Sequence, residues 1–381
     1  MPAPEGFKLQ LVQVLFRYGA RTCSEEESSL LAHEIDEASS LNETHGYEQL
    51  TNLGKLQAHK LGSCLRERYG DFLGSSYRPS DVHATTSEHD STKVTTQLCL
   101  AGLYPPAFEN IWNSEIRSVP IPYHCVPRRL DALLKGPDLP KYRRRFREES
   151  SCNAKIRSKA AELMEMNELL EDKGVPSLQQ SDFFGWLKVF NALYVHQRAA
   201  RSRLPDLYTK ELFEQLQRHV EDIYDLMSLT PELRKLQVGL LLKRVHDNAA
   251  HPANPRKVYL FCADGPVLAA FLRSHRVDRE LRCPGFCSAV LLEKWLDADD
   301  RAHVRMLVTS GQSDLFKVVT LRDSGENGFC RFEDYKSLTE GLFPSDEDVD
   351  EILAESAVNL KNLLTTDYVH CAASTSQQPS A

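Results

Sequence analysis

The sequence contains no run of 18 or more apolar residues, so it predicts no membrane-spanning helix. Its first residues, MPAPEGFKLQ, have neither the basic region nor the apolar region of a signal peptide. Positive charge is not in excess either, because 46 lysines and arginines face 54 aspartates and glutamates. The resulting net charge of −8 gives no support to nucleic-acid binding. We therefore expect a chain that spans no membrane, binds no nucleic acid and, as it is written, is cytoplasmic.

Closely spaced metal ligands are also scarce. The ten cysteines are scattered, and only Cys283 and Cys287 lie within a few residues of each other. A single Cys-x-x-x-Cys is weak evidence for a metal site, because a second pair of ligands at similar spacing is missing. The sequence thus predicts no metal ion and no cofactor. Cys64 and Cys99 fall on apolar helix faces and are predicted to be core residues.

What the sequence does contain is enough apolar material for a large core, 41% of 381 residues. Leu9–Phe16 predicts a buried strand, and the wholly apolar Val258–Cys262 predicts a second strand that is central and parallel. Residues between about 125 and 242 instead show helical periodicity and many charges. The pattern therefore predicts an α/β region interrupted by a helical one.

The first strand runs into a short turn that contains Arg17, Gly19 and Arg21. Two guanidinium groups at the carboxyl edge of an open α/β sheet lie where such sheets bind ligands. Their fixed forks of donors suit a phosphate or a carboxylate. The alternative is that both are surface arginines after an edge strand, and this stretch alone leaves both interpretations open.

The turn resembles the signature of the histidine acid phosphatases, the two-domain branch of the histidine phosphatase superfamily, whose motif is Arg-His-Gly-x-Arg-x-Pro. Here Tyr18 stands at the nucleophilic histidine and Cys23 at the proline. The segment YLFCADGPVLAAFL resembles the family's strand, His-Asp and helix, with Ala263 at the second histidine and Asp264 kept. In VHATTSEHDSTKVTTQLCLAGLYPP, read back from the double proline, Thr85 falls at the family's phosphate-binding arginine.

The resemblance covers about residues 8–350 and implies a phosphoglycerate-mutase-like α/β fold. Such a fold has a mostly parallel central sheet flanked by helices and an inserted smaller α-helical domain. The α/β domain would comprise 1–124 and 246–364, the inserted domain 125–245, and 365–381 would be a disordered tail. The family is normally secreted or lysosomal, so a leader missing from this sequence would imply the same location here.

The resemblance also implies roles for the matching positions. In the family mechanism the first histidine attacks phosphorus, arginines and the second histidine neutralise the phosphoryl oxygens, and the aspartate protonates the leaving alcohol. Arg17 and Arg21 would bind phosphate, and Thr85 would mark the place of a lost arginine. Asp264 would be a remnant acid. All of these positions are expected to converge on one pocket at the carboxyl ends of the strands.

Tyr18 and Ala263 would then be degenerate catalytic positions. A phenol with a pKa of about 10 is less than about 1% ionised at neutral pH, whereas imidazole is largely neutral and nucleophilic there. The leading hypothesis is a pseudoenzyme that retains a pocket for phosphate or a phosphorylated small molecule. The alternatives are an active phosphomonoester hydrolase using Tyr18 or other groups, and an interaction or scaffold protein with an empty pocket. The sequence identifies no protein partner.

Two alternatives concern single residues. Asp264 directly precedes Gly-Pro and a helical run, so its role could be that of a helix N-cap alone. His83 faces the same side of its strand as Thr85 but lies two residues deeper, which makes it a poor substitute nucleophile. The further local predictions are a loop at Ser24–Tyr47, a helix at Thr51–Tyr69 ended by Gly70, a solvated helix face at Lys141–Arg147 and a helix–helix core segment at Phe183–Tyr194.

Overall fold

The structure is a computed structural model that describes residues 4–30, 45–106, 111–172, 175, 177–179, 182–199, 209–251, 256–278, 283–311 and 315–355. The predicted tail at 365–381 lies outside the described residues, as does most of the predicted loop at Ser24–Tyr47.

One sheet organises the described part of the chain. Its strands are β1 Lys8–Arg17, β2 Val82–Thr86, β3 His124–Cys125, β4 Val258–Ala263, β5 Ala289–Leu296, β6 Ala302–Thr309, β7 Lys317–Val319 and β8 Phe329–Arg331. They lie in the order β3-β2-β4-β1-β5-β6-β7, and β8 pairs with β6. β1 is central, and every residue from 11 to 17 is buried.

Strand direction changes across β1. β1 pairs in parallel with β4, so the predicted neighbourhood of Leu9–Phe16 and Val258–Cys262 is confirmed. β2 and β3 extend this parallel half, whereas β5 to β8 pair antiparallel. The predicted parallel character therefore holds for only half of the sheet, because a connection as short as 297–301 between β5 and β6 cannot make a parallel crossover. The predicted α/β class, a central sheet flanked by helices, is confirmed.

Helices cover the sheet and fill the interval between β3 and β4. The α-helices are α1 Glu25–Ser29, α2 Asn52–Leu73, α3 Asp90–Leu103, α4 Pro140–Cys152, α5 Ala154–Glu171, α6 Phe183–Ala199, α7 Lys210–Met227, α8 Pro231–Ala250, α9 Gly265–Ser274, α10 Phe332–Thr339 and α11, which covers 346–355. Across the described ranges, no helix has both the length and the apolar composition needed to cross a bilayer.

The helices α4 to α7 share an aromatic core that includes Tyr142, Phe183 and Trp186. Tyr18, from the turn after β1, is part of the same core, so these helices pack directly on that turn. α8 belongs to two cores, because Leu233 packs in this aromatic core whereas Leu241 packs with sheet residues and with α9. The division into an α/β domain and an inserted domain at 125–245 stays a prediction.

Two local predictions differ from the structure. The predicted loop after the arginine turn contains the short helix α1, which a Ser24–Glu27 capping box starts. The helix α2 runs past Gly70 and ends at Gly74, whose φ of +79° is the left-handed conformation that glycine adopts most easily. Thr51, the first residue of the predicted helix, is its N-cap, since its side chain accepts a hydrogen bond from the Gly54 amide.

Candidate functional site

A cavity of about 400 Å³ opens where the carboxyl ends of β1 and β4 meet the beginnings of α3 and α9. Side chains from α1, α4, α6 and α7 close its other sides. The lining residues are Arg17, Tyr18, Arg21, Ser24, Glu26, Glu27, Glu48, His89, Ser91, Arg128, Arg143, Phe184, Leu187, Lys188, Asn191, Tyr224, Asp264, Gly265 and Pro266. This is the edge of the sheet where the sequence predicted a pocket.

Arg17 ends β1 and brings a buried guanidinium group into the cavity, with 3% of the residue exposed. It donates to the carbonyl of Pro284 at 2.7 Å and makes longer contacts with the Tyr18 hydroxyl and the Asn191 side-chain oxygen, at 3.4 and 3.5 Å. The rings of Tyr18 and Phe286 lie about 5 Å from the guanidinium carbon. All of these contact partners are neutral, and within the described residues no carboxylate pairs directly with Arg17.

Arg21 is engaged by a carboxylate. Its two terminal nitrogens donate to the two oxygens of Glu27 at 2.7 and 2.8 Å, and both side chains are almost fully buried. Burial alone would raise the pKa of Glu27, but the charge and hydrogen bonds of Arg21 lower it below its ordinary value. The two terminal nitrogens of Arg21 thus already bind an anion, the Glu27 carboxylate.

Asp264 is also paired. Lys135, a lysine with 2% of its side chain exposed, forms a short ion pair with Oδ2 of Asp264, and Nε2 of His89 lies 3.8 Å from the same oxygen. Burial acts against ionisation, but the charge of Lys135 above all lowers the pKa of Asp264 to about 2. Asp264 occupies the N-cap position of α9, yet its side chain accepts no capping hydrogen bond. The hydrogen bond that an N-cap side chain would accept is therefore missing. The low pKa keeps the Asp264 carboxylate ionised.

The remaining cations of the cavity wall are paired in the same way. Arg128 and Arg143 donate to the two oxygens of Asp138 at 3.0 and 2.9 Å. Lys188 forms an ion pair with Glu26 at the mouth. Among the arginines and lysines that line the described cavity, Arg17 alone has no carboxylate partner.

Two of the sequence-predicted residues do not line the cavity. Ala263 is fully buried within the core between the sheet and its helices, opposite Arg17 in the parallel register. Thr85 is 9% exposed, and its hydroxyl lies 3.3 Å from Nε2 of His83. Ala263 thus packs in the core, and the Thr85 hydroxyl lies beside His83 instead of lining the cavity.

His83 does not line the cavity either. Its ring stacks on His124 at a centroid distance of 4.5 Å, and burial together with the charge of His124 lowers the pKa of His83 to about 4. Tyr18, by contrast, lines the cavity and is 6% exposed, and the guanidinium carbons of Arg17 and Arg21 lie 5.1 and 5.5 Å from its ring.

The polar residues of this region that the sequence interpretation missed include Glu27, His89, Lys135 and Asn191. The Ser-x-x-Glu spacing at 24–27 is a capping-box signal that could have placed Glu27 at a helix start. Lys135 carries no comparable signal, because it is 129 residues from Asp264 in sequence.

The described residues contribute neither a disulfide nor a metal site to the cavity. None of the nine cysteines within the described ranges forms a disulfide, and Cys371 lies outside those ranges. No group of three or more histidine, cysteine, aspartate or glutamate side chains in the described residues is arranged to hold a metal ion.

A second, more open groove of about 490 Å³ runs along α2. Its wall includes Leu53, Leu56, Cys64 and Phe316 and contains none of the site residues predicted from the sequence. It is mostly apolar and lacks the convergent polar groups that mark a ligand site.

Comparison with known proteins places the chain among phosphatases. It is 30% identical to human prostatic acid phosphatase over 302 residues, which are 76% of this chain and 75% of that protein. It is 26% identical to human lysosomal acid phosphatase over 91% of this chain and 81% of that protein.

Solved structures share the fold at lower sequence identity. A Hafnia alvei phytase in complex with myo-inositol hexakis sulphate matches with a TM-score of 0.65 and 14% identity, over 90% of this chain and 98% of the phytase. At such identity the match shows the fold alone. The family model of branch 2 of the histidine phosphatase superfamily matches residues 8–309. The chain therefore belongs to branch 2 of the histidine phosphatase superfamily.

Proposed function

We propose that this protein is a catalytically degenerate phosphatase homologue whose cavity binds one phosphate group, or a small molecule that carries one, on Arg17. The observation that carries the proposal is the pairing of charges around the cavity. Arg17 keeps a buried positive charge with neutral partners, whereas the other lining arginines and lysines already hold carboxylates. A buried cation without a carboxylate partner suits a single compact anion.

The same pairing argues against turnover. At the two family histidine positions, Tyr18 is a weak nucleophile and Ala263 has no polar group. Asp264, held ionised by Lys135, has no proton to give to a leaving alcohol near neutral pH. Each lost electrostatic group is worth about 3–4 kcal/mol in the transition state. Such losses are not additive, but together they leave no effective route to a phosphoenzyme.

One observation favours a second candidate, an active phosphomonoester hydrolase that uses another nucleophile. His89 lines the cavity beside Asp264, and burial is the main cause that lowers the pKa of His89 and keeps its imidazole neutral. A neutral imidazole beside a carboxylate is a candidate nucleophile or base for such chemistry. The third candidate, a scaffold with an empty cavity, differs from both because it binds no phosphate.

Calorimetric titration with inorganic phosphate tests the proposal. Arg17→Met keeps most of the side-chain volume and removes the charge, so we expect phosphate to bind 10- to 100-fold more weakly, the range of about 1.5–3 kcal/mol for a charged hydrogen bond. Arg144→Met, on the exposed face of α4, is the matched control and should bind like the wild type. Absence of phosphate binding by folded wild-type protein would support the scaffold and refute the proposal.

A further inference from the structure

Glu27 contacts Arg21 in the way that a bound phosphate or sulfate contacts an arginine. Two parallel hydrogen bonds of 2.7 and 2.8 Å join the two terminal nitrogens to two oxygens of one anionic group. This fork-to-fork geometry is the usual recognition mode for phosphate and carboxylate alike. The cavity therefore contains an internal anion at its second arginine.

The position of this anion is fixed by the helix that carries it. Glu27 is the N3 residue of α1, and its Oε2 also accepts a hydrogen bond from the Ser24 backbone amide at 2.8 Å. The Ser24 hydroxyl in turn accepts from the Glu27 amide. Glu27 is 3% exposed, so its carboxylate stays beside Arg21 rather than turning to solvent.

We propose that Glu27 determines which ligands the cavity accepts, because it supplies the negative charge at Arg21 that a second anionic group of a ligand would otherwise supply. This inference rests on the proposed function, in which Arg17 binds the ligand's anion. The cavity then takes a ligand with one compact anionic group and rejects one that carries several phosphates. Glu48, which also lines the cavity, adds to the repulsion of a polyanion.

The alternative is that the Arg21–Glu27 pair only stabilises the turn. Under either interpretation the substitution of Glu27 destabilises the protein, because a buried arginine is left unpaired. The two interpretations differ in what phosphate does afterwards. Only the ligand-selecting pair predicts that phosphate takes the vacated place at Arg21 and binds more tightly.

The test is calorimetric titration of Glu27→Gln with inorganic phosphate and with myo-inositol hexakisphosphate. Glutamine retains an oxygen for the Ser24 amide while removing the charge. We expect at least a tenfold gain in affinity for inorganic phosphate, on the order of one charged hydrogen bond, and measurable binding of the hexakisphosphate. Glu25→Gln removes the same charge from the same helix at a residue that does not line the cavity, and should bind like the wild type.

Thermal melting with and without phosphate covers the case in which Glu27→Gln folds poorly. Phosphate should then raise the melting temperature of the variant by more than it raises that of the wild type, because ligand binding stabilises the folded state by mass action. The double variant Arg21→Gln/Glu27→Gln should show no such gain.

The outcomes separate the inference from the proposed function. If Glu27→Gln gains neither affinity nor stabilisation while wild-type binding still depends on Arg17, the inference is wrong and the proposed function stands. If the wild type binds hexakisphosphate more tightly than phosphate, the inference is also wrong. Phosphate binding by Glu27→Gln but not by the wild type would support the role of Glu27 and refute the proposed function of the unaltered protein.

Discussion

Replacing Lys135 with methionine should lower the free energy of unfolding by about 3 kcal/mol at neutral pH, because it leaves the Asp264 carboxylate with its main partner removed. Lys135 is 2% exposed, and Asp264, with 24% of its side chain exposed, retains only the weaker contact with His89. Methionine fills most of the volume of lysine, so the loss reports the missing charge rather than a void.

The loss should depend on pH in a defined direction. The folded-state pKa of Asp264 is about 2, below its ordinary value of 3.8, so the ion pair contributes fully above about pH 4 and is lost as the pH falls towards 2. The difference between Lys135→Met and the wild type should therefore be largest near pH 7 and should shrink below pH 4.

Urea unfolding followed by circular dichroism measures both effects. Lys243→Met, which breaks an exposed pair with Asp247 on α8, is the control and should cost less than about 1 kcal/mol. The double variant Lys135→Met/Asp264→Asn should recover part of the loss, since the carboxylate that lost its partner is then removed as well. A double variant as unstable as Lys135→Met alone would show that packing, not charge, accounts for the effect.

Gly54→Ala should cost about 3 kcal/mol or more, although alanine is the better helix former. A Cβ at Gly54 would overlap the carbonyl oxygen of Ala20, which belongs to the turn after β1. The same contact fixes the turn through hydrogen bonds from Thr51 to the Ala20 carbonyl and from the Ala20 amide to Gln57. The substitution should push the turn off α2 and so displace Arg17 and the cavity.

Gly70→Ala is the matched control on the same helix. Its Cβ would meet no atom closer than 3.8 Å, the distance to Nε of Arg66. It should stabilise the protein by as much as about 1 kcal/mol, the difference in helix propensity between glycine and alanine. Thermal unfolding of both variants checks the pair, and equal melting temperatures would contradict the close packing of α2 on the turn.

The sequence predicted where the cavity lies because strand ends in a parallel arrangement meet at one edge. The apolar runs before Arg17 and before Asp264 marked two such ends, and β1 and β4 are indeed neighbours. The antiparallel half of the sheet was harder to predict from the sequence, because short strands such as β7 and β8 carry little hydrophobic pattern of their own.

What the sequence could not predict is which charges are already paired. A capping box at Ser24 and Glu27 indicates a helix start, but the contact of Glu27 with Arg21 depends on how the turn folds back on α1. The pairing of Lys135 with Asp264 joins residues 129 positions apart and depends entirely on tertiary packing. These pairs decide whether the arginines and the aspartate are available to a ligand.

We propose that the cavity binds phosphate without hydrolysing its esters. Prolonged incubation with saturating p-nitrophenyl phosphate at acid and neutral pH, under conditions where inorganic phosphate binds, tests it most directly. We expect no release of p-nitrophenol above a heat-denatured blank. Release by the wild-type protein that is lost in Tyr18→Phe or in His89→Ala would contradict the claim and identify the residue that carries the reaction.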